Sequence, residues 1–271
     1  MTHSIHEATL DLTVVAPAHN EEANIRPLVE EIGAALEPLG RPFEFILVDD
    51  GSTDRTGALA LELARDRDWM RLLRMVDTPP GRGHGQSAAF RAGFLAARGR
   101  LIAVLDADLQ NDPADIPELL RVMEEVDADL AQGDRSHARR DSIGRRAASS
   151  VGRAVRRWLL ADTIRDTGCS LRVMRREIAL AIPLEFRGMH RFIPVTAREL
   201  GYSVVEVPVN HRPRVAGEAK YGVFNRAIPG FVDCLAVRWM RHRRRPTLAK
   251  DLLIERTESP RAIEVDSASS S

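Results

Sequence analysis

Two carboxylates stand at the end of an apolar run: Leu101-Ile-Ala-Val-Leu105 leads straight into Asp106-Ala-Asp108-Leu-Gln110-Asn-Asp-Pro113. Such a run reads as a strand buried on both faces of a parallel sheet, and open α/β sheets bind ligands at the carboxyl ends of their strands. Side chains two apart on extended chain point the same way, so Asp106 and Asp108 are expected to converge. Two ionised carboxylates about 6 Å apart repel by about 3 kcal/mol at an effective dielectric of about 20. A divalent cation turns that repulsion into attraction. Hard oxygen donors suit Mg²⁺ or Mn²⁺, which hold substrate phosphates through one or two carboxylates. The ordinary alternative is a helix cap beside a solvated acid. It loses ground because a second acidic strand end lies upstream, where Phe43-Glu-Phe-Ile-Leu-Val48 runs into Asp49-Asp50.

The elements that must position these acids alternate along the chain. Leu12 to Ala16, closed by Pro17, is a first strand, and a helical pattern follows Ala18-His19-Asn20-Glu21-Glu22 as far as Leu36. The Phe43 strand is second, with Ser52, Thr53 or Asp54 placed to cap a helix reaching about Arg67. Arg71 to Val76 is third, and Gly81-Arg-Gly-His-Gly85 opens a helix of small residues, its glycines serving as turn formers or as a phosphate cradle. The Asp106 strand is fourth, Asp112-Pro113 and Asp115 start a helix to about Val126, Leu130 to Gly133 is fifth, and Gly201 to Pro208 is a later strand. This alternation predicts βαβ units and a mainly parallel sheet flanked by helices. The first loop lacks the G-x-G-x-x-G of a dinucleotide site, which argues against a nicotinamide enzyme.

The formal net charge of the 271-residue chain is zero, but residues 1–134 carry −13 and residues 135–250 carry +16. The first half therefore suits a metal and the second an anion such as phosphate. Eight arginines fall between Arg135 and Arg157, where Ile143, Ala147, Val151, Val155 and Trp158 recur at helical spacing. A second stripe, Phe224, Ile228, Phe231, Leu235 and Trp239, runs into Arg241-His-Arg-Arg-Arg245, with Pro229-Gly230 expected to kink it. An apolar face ending in a basic cluster is the pattern of a helix lying on a membrane surface. No run of about 18 apolar residues marks a spanning segment, and Met1 to Leu10 has no signal-peptide core. Cys169 and Cys234 give neither metal spacing nor a disulfide framework, so a reducing cytoplasm is expected, at the membrane's cytoplasmic face.

Taken in order, Pro17-Ala-His-Asn-Glu21, Asp49-Asp-Gly-Ser52, Gly85-Gln86-Ser-Ala-Ala89, Asp106-Ala-Asp-Leu-Gln110, Gly133-Asp-Arg135, Asp166-Thr-Gly-Cys-Ser170, His190-Arg-Phe-Ile-Pro194 and Arg214-x-x-Gly217-x-x-Lys220-Tyr-Gly222 resemble a family 2 glycosyltransferase of the polyprenyl-phosphate type, the group of the dolichol-phosphate mannosyltransferases. The resemblance implies a GT-A type nucleotide-sugar-binding α/β fold with C-terminal amphipathic helices. Its donor would be GDP-mannose or a UDP-hexose and its acceptor a polyprenyl or dolichyl phosphate. By the same resemblance Pro17, His19, Glu21, Asp49 and Asp50 lie against the nucleoside, Asp106 lies near the donor diphosphate, and Asp108 and Gln110 join it in binding Mg²⁺ or Mn²⁺. Arg135, Arg145 and Ser149 take the acceptor phosphate, and Arg214 and Lys220 belong to a mobile acceptor loop, residues 211–222. Ala219 stands where the family's loop carries serine before its lysine. The implied organisation is an extension over residues 1–10, a catalytic domain over 11–222, an interfacial helix over 223–245 and a disordered tail over 246–271.

The chemistry agrees with the pattern. A lipid phosphate is already ionised at neutral pH and attacks an anomeric carbon without a protein base, so positioning and charge neutralisation are what the protein must supply. A transferase acting on a hydroxyl would instead need a base, for which Asp134 and Asp166 are candidates. A haloacid-dehalogenase phosphatase would carry its Asp-x-Asp on the first strand. An RNA-binding module would interleave aromatics with the arginines, and nucleic acid is therefore not an expected partner.

Overall fold

The computed structural model describes residues 10–79, 81–137, 152, 154–212 and 224–245. Seven strands form one sheet: β1 Leu10–Ala18, β2 Phe43–Asp49, β3 Met70–Arg74, β4 Gly99–Val104, β5 Leu130–Asp134, β6 Arg172–Arg175 and β7 Val204–Pro208, in the order β3-β2-β1-β4-β6-β5-β7. β6 is antiparallel to both its neighbours, β4 and β5, while all other pairs are parallel. The expectation of a mainly parallel sheet holds.

Period-two alternation divides the strands between two cores. Leu12, Val14 and Ala16 of β1, Phe45 and Leu47 of β2 and Leu101 and Ala103 of β4 face one cluster. Helices α1 Glu22–Leu36, α2 Thr56–Arg65 and α4 Ile116–Glu125 close it with Ile25, Leu28, Leu63 and Leu119. Val15, Ile46, Val48, Ile102 and Val104 face the other. That side is covered by α3 Gln86–Ala96, helical residues 154–160 (α5), α6 Arg176–Ala181, α7 Ile193–Glu199 and α8 Phe224–Arg243. Strands buried on both faces explain why β1, β2 and β4 read as continuous apolar runs.

Several expectations need adjustment. β6 lies in a stretch to which the sequence assigned no strand, because Arg172 and Arg175 interrupt its apolar pattern. The third strand is Met70–Arg74 rather than Arg71 to Val76, and the last begins at Val204 rather than Gly201. Helix α8 runs through Pro229, which has no backbone N–H to donate within the helix. Of the predicted basic helix, residues 152 and 154–160 are helical. Ile143, Ala147, Val151, the residue 1–9 extension, most of the acceptor loop and the tail lie outside the described residues.

Candidate active site

Six strands run one way, so the carboxyl ends of β1, β2, β4 and β5 share one edge of the sheet. That edge carries the acids. Asp106 and Asp108 do not sit on β4, which ends at Val104; they lie on the turn after it, where Leu109 adopts φ 59°. They are brought together by the turn, rather than by the strand alternation the sequence suggested. Burial first, then the Asp108 charge, raises the Asp106 carboxyl above the usual carboxylate range.

The reversed strand β6 supplies the partner of Asp106. Arg172 pairs with Val104, and continuing that antiparallel register two residues outward puts Ser170 opposite Asp106. The Ser170 hydroxyl donates to Asp106 Oδ2 at 2.7 Å and accepts at 2.7 Å from Asn111 Nδ2. On the other side Gln86 Nε2, at the start of α3, donates to Asp106 Oδ1. Asp108 Oδ1 accepts the Gln110 backbone N–H at 3.2 Å, and the Gln110 carbonyl accepts from the Arg212 backbone N–H at 3.0 Å. Two neighbouring carboxylates, one held with its ionised form at a disadvantage, and an adjacent amide side chain are a donor set that fits a hard divalent cation keeping part of its hydration shell. Among the described residues no group of three or more His, Cys, Asp or Glu side chains is gathered into a closed metal cage.

The end of β2 is organised differently for its two acids. Buried Asp49 accepts from the Ser52 N–H at 2.9 Å through Oδ1 and from Arg74 Nε at 3.2 Å through Oδ2. Asp50 spends both oxygens on the glycine-rich loop: Oδ1 accepts from the His84 N–H at 2.8 Å and Oδ2 from the Gly85 N–H at 2.7 Å. Gly83, at φ 63°, must be glycine for this closure, because a Cβ there would stand 2.4 Å from the Asp50 carbonyl oxygen. The loop glycines are therefore turn formers around an internal carboxylate. His19 Nδ1 donates to the Asp50 carbonyl at 2.7 Å, which fixes its tautomer. Pro17 lies on β1 opposite Val48, and Glu21 bonds Asn24 Nδ2 at 2.6 Å while its backbone N–H donates to Thr56 Oγ1. The structure thus gathers Pro17, His19, Glu21, Asp49 and Asp50 around the ends of β1 and β2.

Arg135, at the end of β5, is nearly buried and held as a fork by Asp166, with Nε to Oδ2 at 2.9 Å and Nη2 to Oδ1 at 3.2 Å. Arg145, Ser149, Arg214 and Lys220 lie outside the described residues. Behind the acids sits a charged group that sequence reasoning missed: Arg172 is 3% exposed and donates to the carbonyls of His190, at 3.1 Å, and Cys169. Burial pushes its guanidinium down to about 10, countered by the charges of Asp106 and Asp166. Among the described residues its buried Nε has no hydrogen-bond partner. His190 joins the site through Ser87 Oγ, 2.8 Å from its Nδ1, and burial, then Arg191 and Arg172, push the imidazole down to about 3. The sequence signal for Arg172 is one charge inside Cys169-Ser-Leu-Arg-Val-Met174, a run otherwise suited to a core.

A parallel sheet with one reversed strand beside its acidic edge, flanked by helices on both faces, is the GT-A type architecture of nucleotide-sugar transferases. The chain belongs to glycosyl transferase family 2, whose model matches residues 13–182. It is 38% identical over 241 residues to the dodecaprenyl-phosphate galacturonate synthase of Rhizobium johnstonii, covering 88% of this chain and 70% of that protein. It is 41% identical over 211 residues to the undecaprenyl-phosphate 4-deoxy-4-formamido-L-arabinose transferase of Pseudomonas aeruginosa, covering 78% of this chain and 60% of that one. The fold superposes on glucosyl-3-phosphoglycerate synthase from Mycobacterium tuberculosis, solved with Mn²⁺, UDP and glucosyl-3-phosphoglycerate, with a TM-score of 0.62 at 20% identity over 89% of this chain and 83% of that one.

Proposed function

We propose that this protein is an inverting, metal-dependent transferase that moves a sugar from a nucleotide-sugar donor to a polyprenyl phosphate. The observation that carries the reading is the Asp106–Asp108 pair at the ligand edge of a family 2 fold, with Asp106 braced by Ser170 and Gln86. The named acceptors of the relatives above, dodecaprenyl and undecaprenyl phosphates, support the lipid.

In this reading Pro17, His19, Glu21 and Asp49 hold the nucleoside, and Asp50 keeps the loop after β3 closed beneath it. Asp106, Asp108 and Gln110 would hold Mg²⁺ or Mn²⁺, which would neutralise charge gathering on the departing diphosphate. The acceptor's ionised phosphate oxygen attacks the anomeric carbon as the bond to the diphosphate breaks, and the electron pair leaves with the nucleoside diphosphate. Attack opposite the leaving group inverts the anomeric centre. Arg135, with Arg145, Ser149, Arg214 and Lys220 from outside the described residues, brings the second anion in and screens it from the first.

The test is transfer from GDP-, UDP- and dTDP-sugars to undecaprenyl phosphate with the purified chain, with and without Mn²⁺. A butanol-extractable, mild-acid-labile product that forms only with metal and disappears in a folded Asp108→Ala variant supports the reading. Transfer only to a hydroxyl acceptor, or full activity in that variant, overturns it.

A further inference from the structure

Asp106 is held from two sides by residues far apart in the chain, Ser170 at Oδ2 and Gln86 at Oδ1. Both braces lead back to one side chain behind the acids. Alternation along β6 and the residues before it puts Ser170, Arg172 and Met174 on one face, and the Arg172 guanidinium reaches from that face in two directions. Nη2 donates to the Cys169 carbonyl, in the peptide bond that leads into Ser170. Nη1 donates at 3.1 Å to the His190 carbonyl. His190 in turn holds Ser87, whose hydroxyl lies 2.8 Å from the ring Nδ1 and accepts the His190 N–H at 3.3 Å. Ser87 follows Gln86 directly in α3.

Packing alone does not call for a cation here. Val104, which pairs with Arg172 across the sheet, and Met174 belong to the second core, and an apolar residue at position 172 would extend it. A buried guanidinium is costly unless charges and hydrogen bonds compensate it. Here burial outweighs the favourable charges of Asp106 and Asp166, and Nε has no hydrogen-bond partner among the described residues. What the arginine adds is shape: a planar fork spans two carbonyls, which an ammonium point charge does not. The Cys169 carbonyl also accepts from Gln132 Nε2 at 3.0 Å, so the peptide before Ser170 is fastened twice.

We propose that Arg172 is a positioning residue for Asp106, its fork tying the peptide before Ser170 to the His190 turn so that both braces meet the carboxylate in one orientation. The inference rests on the reading of Asp106 as part of the metal and diphosphate site. Arg172 acts on that site through Ser170 and Gln86.

The test is Mn²⁺ binding by the full chain in the presence of UDP, GDP or dTDP, followed by loss of the free-ion electron paramagnetic resonance signal. It needs neither sugar nor acceptor. Arg172→Lys keeps a charge without the fork, and Arg172→Met keeps neither. Each is made in the wild type and in a Ser170→Ala/Gln86→Ala background, with melting curves to confirm folding; if Arg172→Met does not fold, Arg172→Lys carries the comparison. In the wild-type background Mn²⁺ binding is expected to weaken about tenfold or more, as for other residues that orient a metal ligand. Where both braces are already gone, the further loss should stay within about twofold, because a shared pathway makes the effects non-additive. A merely structural role would lower affinity by the same factor in both backgrounds. That result, or wild-type affinity in folded Arg172→Lys, overturns the proposal. Wild type that binds Mn²⁺ with none of the three nucleotides overturns the metal reading beneath it as well, so the two failures are told apart.

Discussion

The Ser170 hydroxyl lies 2.7 Å from Asp106 Oδ2 because β6 runs against β4 and begins where β4 ends. A parallel strand in that position would bring its carboxyl end to the site and send Ser170 to the far edge. The single reversal in the sheet is what lets one serine orient the carboxylate expected beside the diphosphate. Ser170→Ala removes a hydrogen bond to a charged group, a contribution of about 1.5–3 kcal/mol. Transfer is expected to fall roughly 10- to 150-fold in kcat, with the KM for donor changed little and weaker Mn²⁺ dependence in titration. Ser170→Thr, which keeps the hydroxyl, should recover most of the rate. An alanine variant with wild-type kcat would remove Ser170 from any positioning role.

His190 makes the fold acid-sensitive. Burial, Arg191 and Arg172 hold its imidazole at about 3, against an ordinary value of 6.5. The unfolded chain therefore takes up a proton at this residue as pH falls below 6.5, and the folded chain does so only near 3. Stability from the neutral ring is fully present above 6.5 and is lost as pH falls through that window, at up to about 1.4 kcal/mol per pH unit. Melting curves of the wild type and His190→Gln, recorded from neutral to acidic pH, should converge as the pH drops. Parallel curves would contradict the neutral buried ring.

Much of this frame was legible in the sequence because buried strands announce themselves. The apolar runs ending at Asp49 and before Asp106 are visible without a structure, and the ordered motifs point to the family. What was hidden depends on contacts between distant residues. Asp50 reads like a second ligand-facing acid beside Asp49, yet its carboxylate closes a loop more than thirty residues on. Arg135 reads as an anion receptor, but the carboxylate of Asp166 that holds its guanidinium in place lies thirty-one residues on and is not paired with it by any sequence pattern. β6 escaped notice because Arg172, a buried charge that donates to the carbonyls of His190 and Cys169, breaks the apolar pattern by which a strand is recognised.

The role of Asp50 gives a sharp expectation. Asp50→Ala takes the acceptor from two backbone N–H groups and should destabilise the protein by about 2–4 kcal/mol in urea unfolding. It should also open the loop carrying Arg82 to trypsin, whereas Asp50→Asn, which keeps one acceptor, should fall between. Cleavage after Arg82 at the wild-type rate in the alanine variant would show that the loop holds its shape by other means.

Asp166 separates the two transferase chemistries. Its carboxylate is buried against Arg135, with side-chain exposures of 6% and 11%, so removing it strands a cation in the interior. Asp166→Ala is expected to lose about 3–5 kcal/mol, while an apolar replacement of both partners should restore part of the loss. Catalysis discriminates further. If Asp166 only holds Arg135 for an acceptor phosphate that is already ionised, Asp166→Asn should cost about tenfold or less in kcat and leave its pH profile in place. A general base for a hydroxyl acceptor would cost about 10²- to 10⁴-fold and remove the acidic limb of that profile. The second result, in a variant that melts like the wild type, would favour a hydroxyl acceptor over a lipid phosphate.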